Sequence, residues 1–405
     1  MRFSSLVERV HSPGVAAWDI HHEAHAAKRR GEDVIVLSIG DPDFATPDPI
    51  VRRAIAALES GDTHYTDIPG RPELREAIAA LQRRRSGRAL TPENVMVVAG
   101  AQNGLFASSL CLFEPGDEVI VLEPMYVTYE ATFEAAGARI VPVRLTGQQF
   151  ALDPAALRRA VTPRTRAIAF ATPSNPTGKA LTRAELGEIA AVACEHDLAV
   201  LADETYEALV FEGEHVSIGA LPGMTERSVT VGSLSKSHAM TGWRLGWVIG
   251  PEVLVVHLER LALTMFYGLP GFIQEGALEA LRHYDEITAA MRYTYRRRRD
   301  LLAGHLASCP GVRVVLPDAG MFVLLDIRAT GLSSLDFAWA LYRATGVAVL
   351  DASAFGSSAQ GFVRVSFTTG EVELAEASRR IGQFLRGLES ETTASMQRRG
   401  DGPVA

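Results

Sequence analysis

From Asp48 onward the chain alternates helical segments with short β-branched runs, and few architectures accept that pattern. The runs are Val95-Met-Val-Val-Ala99, Glu118-Val-Ile-Val-Leu122, Ala167-Ile-Ala-Phe-Ala171, Ala199-Val-Leu-Ala-Asp203, Ser228-Val-Thr-Val-Gly232 and Gly246-Trp-Val-Ile-Gly250. Each is apolar on both faces, as strands are when helices cover a sheet on both sides. The pattern predicts an α/β fold with a doubly wound, mostly parallel sheet over residues 45–285. A long charged helix follows at about 285–307. Strand-like Met321–Leu325, Val347–Leu350 and Phe362–Phe367 then mix with two amphipathic helices, so 286–390 reads as a smaller α+β domain. Residues 1–44 read as an N-terminal arm belonging to that smaller domain, with a short strand at Val34–Ile39. Residues 391–405 are poor in apolar side chains and are expected to fray.

Charge removes several function classes. A net charge of −8 over 405 residues gives no electrostatic case for nucleic acid or an anionic membrane. No apolar segment is long enough to span a bilayer, and Met-Arg-Phe-Ser-Ser-Leu-Val-Glu lacks the apolar core of a signal peptide. Cys111, Cys194 and Cys309 are odd in number and far apart, which fits reduced thiols in a cytoplasm and no zinc site. His21, His22, Glu23 and His25 lack the H-E-x-x-H spacing and read as a polar helix face, so no metal is expected. The run Arg296–Arg299 reads as the wet face of a helix.

The loop Ser233-Leu-Ser-Lys-Ser-His-Ala-Met-Thr-Gly-Trp-Arg244 follows the strand at Ser228. A lysine just past a strand end can be partly desolvated, which frees its amine to attack a carbonyl. Hydroxyls and Arg244 nearby suit a phosphate. An imine-forming lysine beside a phosphate site is what pyridoxal 5'-phosphate (PLP) requires. A solvated loop lysine is the alternative. The S-x-x-K of serine β-lactamases is set aside, because neither S-D-N nor K-T-G occurs.

Other strand ends bear on the choice. If the strands are parallel, Asn175, Asp203 and Lys236 converge at one carboxyl edge. Asp203 could hold a pyridine nitrogen protonated, and Asn175 and Tyr206 could hydrogen-bond a ring oxygen; each alone could equally serve a turn or a helix cap. Gly100-Ala-Gln-Asn-Gly104 opens a helix with small residues, which lets backbone N–H groups meet a phosphate. No G-x-G-x-x-G or Walker motif is present, so a nucleotide is not favoured. Arg364, in an otherwise apolar strand, is either a structural ion-pair partner or a clamp for a carboxylate.

Together these residues resemble fold-type I PLP enzymes, in particular class I/II aminotransferases. The resemblance rests on Tyr65–Arg75, Pro115-Gly-Asp-Glu-Val119, Ser174-Asn-Pro-Thr-Gly178, Asp203-Glu-Thr-Tyr206, Ser233–Lys236 with Gly242-Trp-Arg244, and Arg364. It implies that Lys236 binds PLP covalently and shuttles a proton, and that Asp203 pairs with the ring nitrogen. Asn175 and Tyr206 would contact the ring hydroxyl, and Tyr126 would stack on the ring. Ser233, Arg244 and the Gly100-Ala101-Gln102 turn would hold the phosphate. Tyr65 would reach the phosphate of a neighbouring subunit in a homodimer. Gly40, Asn175 and Arg364 would seat the α-carboxylate of an amino acid or 2-oxo acid. A β-lyase or decarboxylase on the same scaffold remains an alternative. Ala16–His21, Met125–Glu130, Gly213–Ser217 and Ser235–Arg244 look most like bacterial arginine:pyruvate transaminases. A guanidinium donor needs a carboxylate or π-face; Asp19, Glu23 and Tyr267 are the expected suppliers.

Overall fold

The computed structural model describes residues 1–10 and 17–400, with side chains described as far as residue 390. Thirteen strands are named in chain order: β1 (Ile35–Val36), β2 (Val95–Val98), β3 (Glu118–Glu123), β4 (Arg139–Arg144), β5 (Thr165–Ala171), β6 (Ala199–Asp203), β7 (Ser228–Ser233), β8 (Gly246–Ile249), β9 (Arg313–Val315), β10 (Phe322–Asp326), β11 (Val347–Ala348), β12 (Leu350–Asp351) and β13 (Phe362–Ser366). Seven of them form one sheet in the order β2-β8-β7-β6-β5-β3-β4. All neighbouring pairs are parallel except those of β8, which runs antiparallel to both β2 and β7. Odd-numbered side chains such as Val119, Val121, Ala167 and Ala169 pack into one apolar cluster. Even-numbered ones such as Ile120, Leu122, Ile168 and Phe170 pack into another. Both faces of the sheet are therefore core, which is why these strands read as continuous apolar runs.

The second unit is a four-stranded antiparallel sheet, β12-β13-β10-β9. The N-terminal arm lies beside it: β1 pairs in parallel with β11 in a separate two-stranded sheet, and the Leu37 carbonyl accepts from the Ser366 N–H at 2.8 Å. Two expectations need correction. Residues 391–400 continue the helix Glu371–Gly400 instead of fraying; no Gly or Pro intervenes between Ser390 and Gly400, and helix propagation adds a bond per residue. Residues 401–405 lie outside the described ones. The run Arg296–Arg299 is not uniformly wet: Arg298 and Arg299 are buried. Arg298 forms a two-pronged pair with Asp43 at 2.7 and 2.9 Å and lies over the Phe44 ring, while Arg299 donates to the Pro317 carbonyl at 3.1 Å. The arginine-rich helix Tyr284–Leu306 crosses the core, so part of its cationic face must turn inward.

Candidate active site

The sheet brings four chain segments to one edge. Ala171, Asp203 and Val231 are laterally paired across β5, β6 and β7, so the loops that follow start at the same level. β2 has the same direction as β7, because β8 reverses between them, and the Gly100 turn therefore emerges at that edge too. A cavity of about 480 Å³ lies there. It is lined by Gly40, Ala101, Gln102, Tyr126, Asn175, Asp203, Tyr206, Ser233, Lys236, Arg244 and Arg364, so most of the residues singled out in the sequence share one space. Gly100 abuts it: a Cβ there would stand 2.5 Å from Nη2 of Arg244.

Lys236 Nζ donates to the Gly40 carbonyl at 2.7 Å. Burial lowers its pKa to about 8; Asp41 opposes the shift, and Arg364 and Arg244 add to it. Asp203 is buried at the end of β6, and that burial raises its pKa. Its two oxygens accept from the Tyr129 hydroxyl at 3.2 Å and the Thr205 N–H at 3.1 Å. Tyr206 is buried too, and burial pushes its phenol well above the ordinary range.

Part of the lining could meet an anion. The helix Ala101–Leu112 begins there, with Gly100 at φ 82° supplying the turn. Arg244, itself in the left-handed region, is anchored by donating to the Thr241 carbonyl at 2.8 Å. Ser233 Oγ reaches the Leu245 carbonyl at 3.0 Å and Ser235 Oγ at 2.8 Å. Gln102 is held by Thr132 and Thr128, so its backbone is the part left for a ligand.

The lining also holds a buried guanidinium. Arg364 is 2% exposed on β13, donating to Asn175 Oδ1 at 2.8 Å and to the Ser38 carbonyl at 2.7 Å. Its Nε has no partner, and no carboxylate among the described residues pairs with it. Phe322 and Phe355 face the guanidinium, at 4.0 and 4.9 Å from the ring centroids, and burial lowers its pKa to about 10. A buried cation lacking a counter-ion calls for an anionic ligand.

Four expected residues, Asp19, Glu23, Tyr65 and Tyr267, do not line this cavity. Asp19 and Glu23 do not line the cavity; Asp19 is exposed and Glu23 pairs with Arg30 at 2.9 Å. They sit on the outward side of the helix Asp19–Arg29, whose inward positions are Ile20, Ala24 and Ala27. Tyr65 is 86% exposed and stacks on Tyr267 at 5.2 Å, away from this protomer's cavity. Sequence reasoning missed Trp18, Asp41, Tyr129 and Thr205. Asp41 and Thr205 adjoin motif residues and could have been found from them; Tyr129 resembles any core aromatic.

A family model for aminotransferases of class I and II matches residues 32–381. The chain is 52% identical over 382 residues to the arginine–pyruvate transaminase AruH of Pseudomonas aeruginosa, covering 94% of this chain and 97% of that protein. It is 37% identical over 370 residues to the aspartate/prephenate aminotransferase of Thermus thermophilus, covering 90% and 94%. Among solved structures, the Thermus thermophilus aspartate aminotransferase with maleate superposes with a TM-score of 0.89 at 37% identity, over 95% of this chain and all of that one. Sheet order, cavity residues and relatives agree, and the chain belongs to the class I and II aminotransferases.

Proposed function

We propose that the protein is a PLP-dependent L-amino acid:2-oxo acid aminotransferase. Its donor is L-arginine or a related guanidino amino acid and its acceptor is pyruvate. It works in the cytoplasm as a homodimer with shared active sites. One observation carries the reading: a desolvated lysine, a buried carboxylate and a buried guanidinium without a carboxylate partner share one cavity.

The residues fit the cofactor. The helix start at Ala101, the Ser233 hydroxyl and Arg244 suit its phosphate, and a side chain at Gly100 would crowd Arg244. Asp203 suits the ring nitrogen, Asn175 and Tyr206 the ring hydroxyl, and Tyr126 a ring face. When bound, PLP supplies the electron sink that makes the substrate's α-proton acidic. Lys236, part-neutral at working pH, takes the proton from the α-carbon and returns it when the direction reverses. Arg364 orients the substrate by its α-carboxylate and thereby holds the α-carbon near Nζ.

Two features support the donor. The relative sharing 52% identity is named for arginine and pyruvate. Ala101–Phe113 and Leu261–Leu269 contain no Lys or Arg, and among the described residues the cavity lining holds only Lys236, Arg244 and Arg364 as cations. A dicarboxylate donor would find no spare positive charge there. The dimer is supported by the exposed Tyr65–Tyr267 stack and by exposed Leu110, Val256, Leu263 and Met265. The test is a donor series of arginine, lysine, ornithine, norleucine, aspartate and phenylalanine with pyruvate or 2-oxoglutarate. Arginine with pyruvate should show the highest kcat/KM. Arginine ranking below norleucine or aspartate would reject the donor, and no coupled formation of oxo acid and amino acid would reject transamination.

A further inference from the structure

We propose that Trp18 recognises the donor side chain, its indole face packing on a guanidinium whose charge is met by Asp41. This rests on the arginine reading above and identifies which residues would confer it. Among the described residues, only two carboxylates line the cavity, Asp41 and Asp203. Asp203 is buried and held by Tyr129 and Thr205. Asp41 is exposed and, among the described residues, makes no side-chain hydrogen bond or ion pair, so its oxygens are available to a ligand. Among the described residues, Trp18 is the one indole in the lining, and no arginine or lysine covers its face. Trp has the strongest face for a cation.

The indole is also in register with the carboxylate clamp. Trp18 precedes the helix Asp19–Arg29 and meets the His21 ring edge-on, centroids 5.6 Å apart at 90°. His21 Nδ1 contacts Ser38 Oγ at 2.9 Å, and the Ser38 carbonyl accepts from Arg364 at 2.7 Å. An amino acid seated on Arg364 is therefore placed relative to Trp18 by a short chain of contacts. Burial, then His25, His22 and Arg364, lowers the His21 pKa to about 4, so no imidazolium competes for the indole at neutral pH. An acidic side chain in the same place would meet Asp41 and no cation, which agrees with the missing dicarboxylate counter-charge.

The test uses the full-length holoenzyme with arginine and norleucine as donors and pyruvate as acceptor. In Trp18→Leu, kcat/KM for arginine should fall about tenfold while norleucine stays within about threefold. Trp18→Phe should lie between, and Asp41→Asn should raise KM for arginine more than for norleucine. Norleucine turnover reports that the Trp18 variants are folded and loaded; Asp41→Asn also removes a charge beside Lys236, so there the readout is the ratio of the two donors' KM values. Binding of 5-guanidinopentanoate and of hexanoate, which lack an α-amino group and cannot react, is measured alongside. The guanidino acid should lose affinity in Trp18→Leu and hexanoate should not. An equal loss for both acids, or none, overturns the Trp18 role whatever the preferred donor. Arginine proving a poor donor while 5-guanidinopentanoate still depends on Trp18 rejects the donor and leaves the subsite standing.

Discussion

The surroundings of Lys236 tune its reactivity. Its amine is mostly neutral above its pKa and mostly charged below it, and burial lowers that pKa to about 8. A lower pKa means more neutral amine at a given pH: roughly a tenth at pH 7 and roughly nine-tenths at pH 9. Capture of PLP by the cofactor-free protein should thus speed up with pH and level off above about pH 9, as followed by absorbance. A rate flat from pH 6 to 9 would show that the neutral amine is not limiting. Lys236→Ala should lose roughly two to four orders of magnitude in the proton-transfer step, measured by single-turnover absorbance. Asp203→Asn should still bind PLP but transaminate poorly, because an amide cannot stabilise a protonated ring nitrogen as a carboxylate does; unchanged turnover would refute that role. Arg364→Lys should raise the donor KM more than it lowers kcat, since one ammonium cannot replace a planar fork. At this scale the sequence was most informative at strand ends, where position and chemistry coincide. It misled at Asp19 and Glu23, because residue type does not reveal which face of a helix looks inward.

Elements were legible where burial was two-sided. β2, β3, β5, β6, β7 and β8 announce themselves as apolar runs because helices cover both faces. β4, Arg-Ile-Val-Pro-Val-Arg, was not recognised: it lies at the sheet edge, is partly exposed and carries Pro142. The helix Tyr284–Leu306 was located but its charge run misjudged, since four arginines in a row look solvated until a partner approaches. That partner is Asp43, three residues from the carbonyl that holds Lys236. Arg298→Leu should therefore destabilise the fold by about 1–3 kcal/mol, a discounted figure because Asp43 is a third exposed. A urea midpoint unchanged from the parent protein would contradict it.

Over the whole molecule, the exposed side chains of Leu110, Val256, Leu263 and Met265 and the Tyr65–Tyr267 stack form the surface expected to meet a second copy. Sedimentation equilibrium should return about twice 43.7 kDa, and Leu263→Arg should lower that mass and transaminase activity together. A monomeric, fully active parent protein would contradict shared sites. The reversed direction of β8 has a further consequence. Because β7 and β8 are joined at the active edge, the covalent anchor at Lys236 and the anion anchor at Arg244 lie on a single short return of the chain, eight positions apart. The residue proposed to read the donor, Trp18, lies more than two hundred positions upstream. A substitution at position 18 can therefore change which donor is taken while the return from Lys236 to Arg244 keeps its sequence.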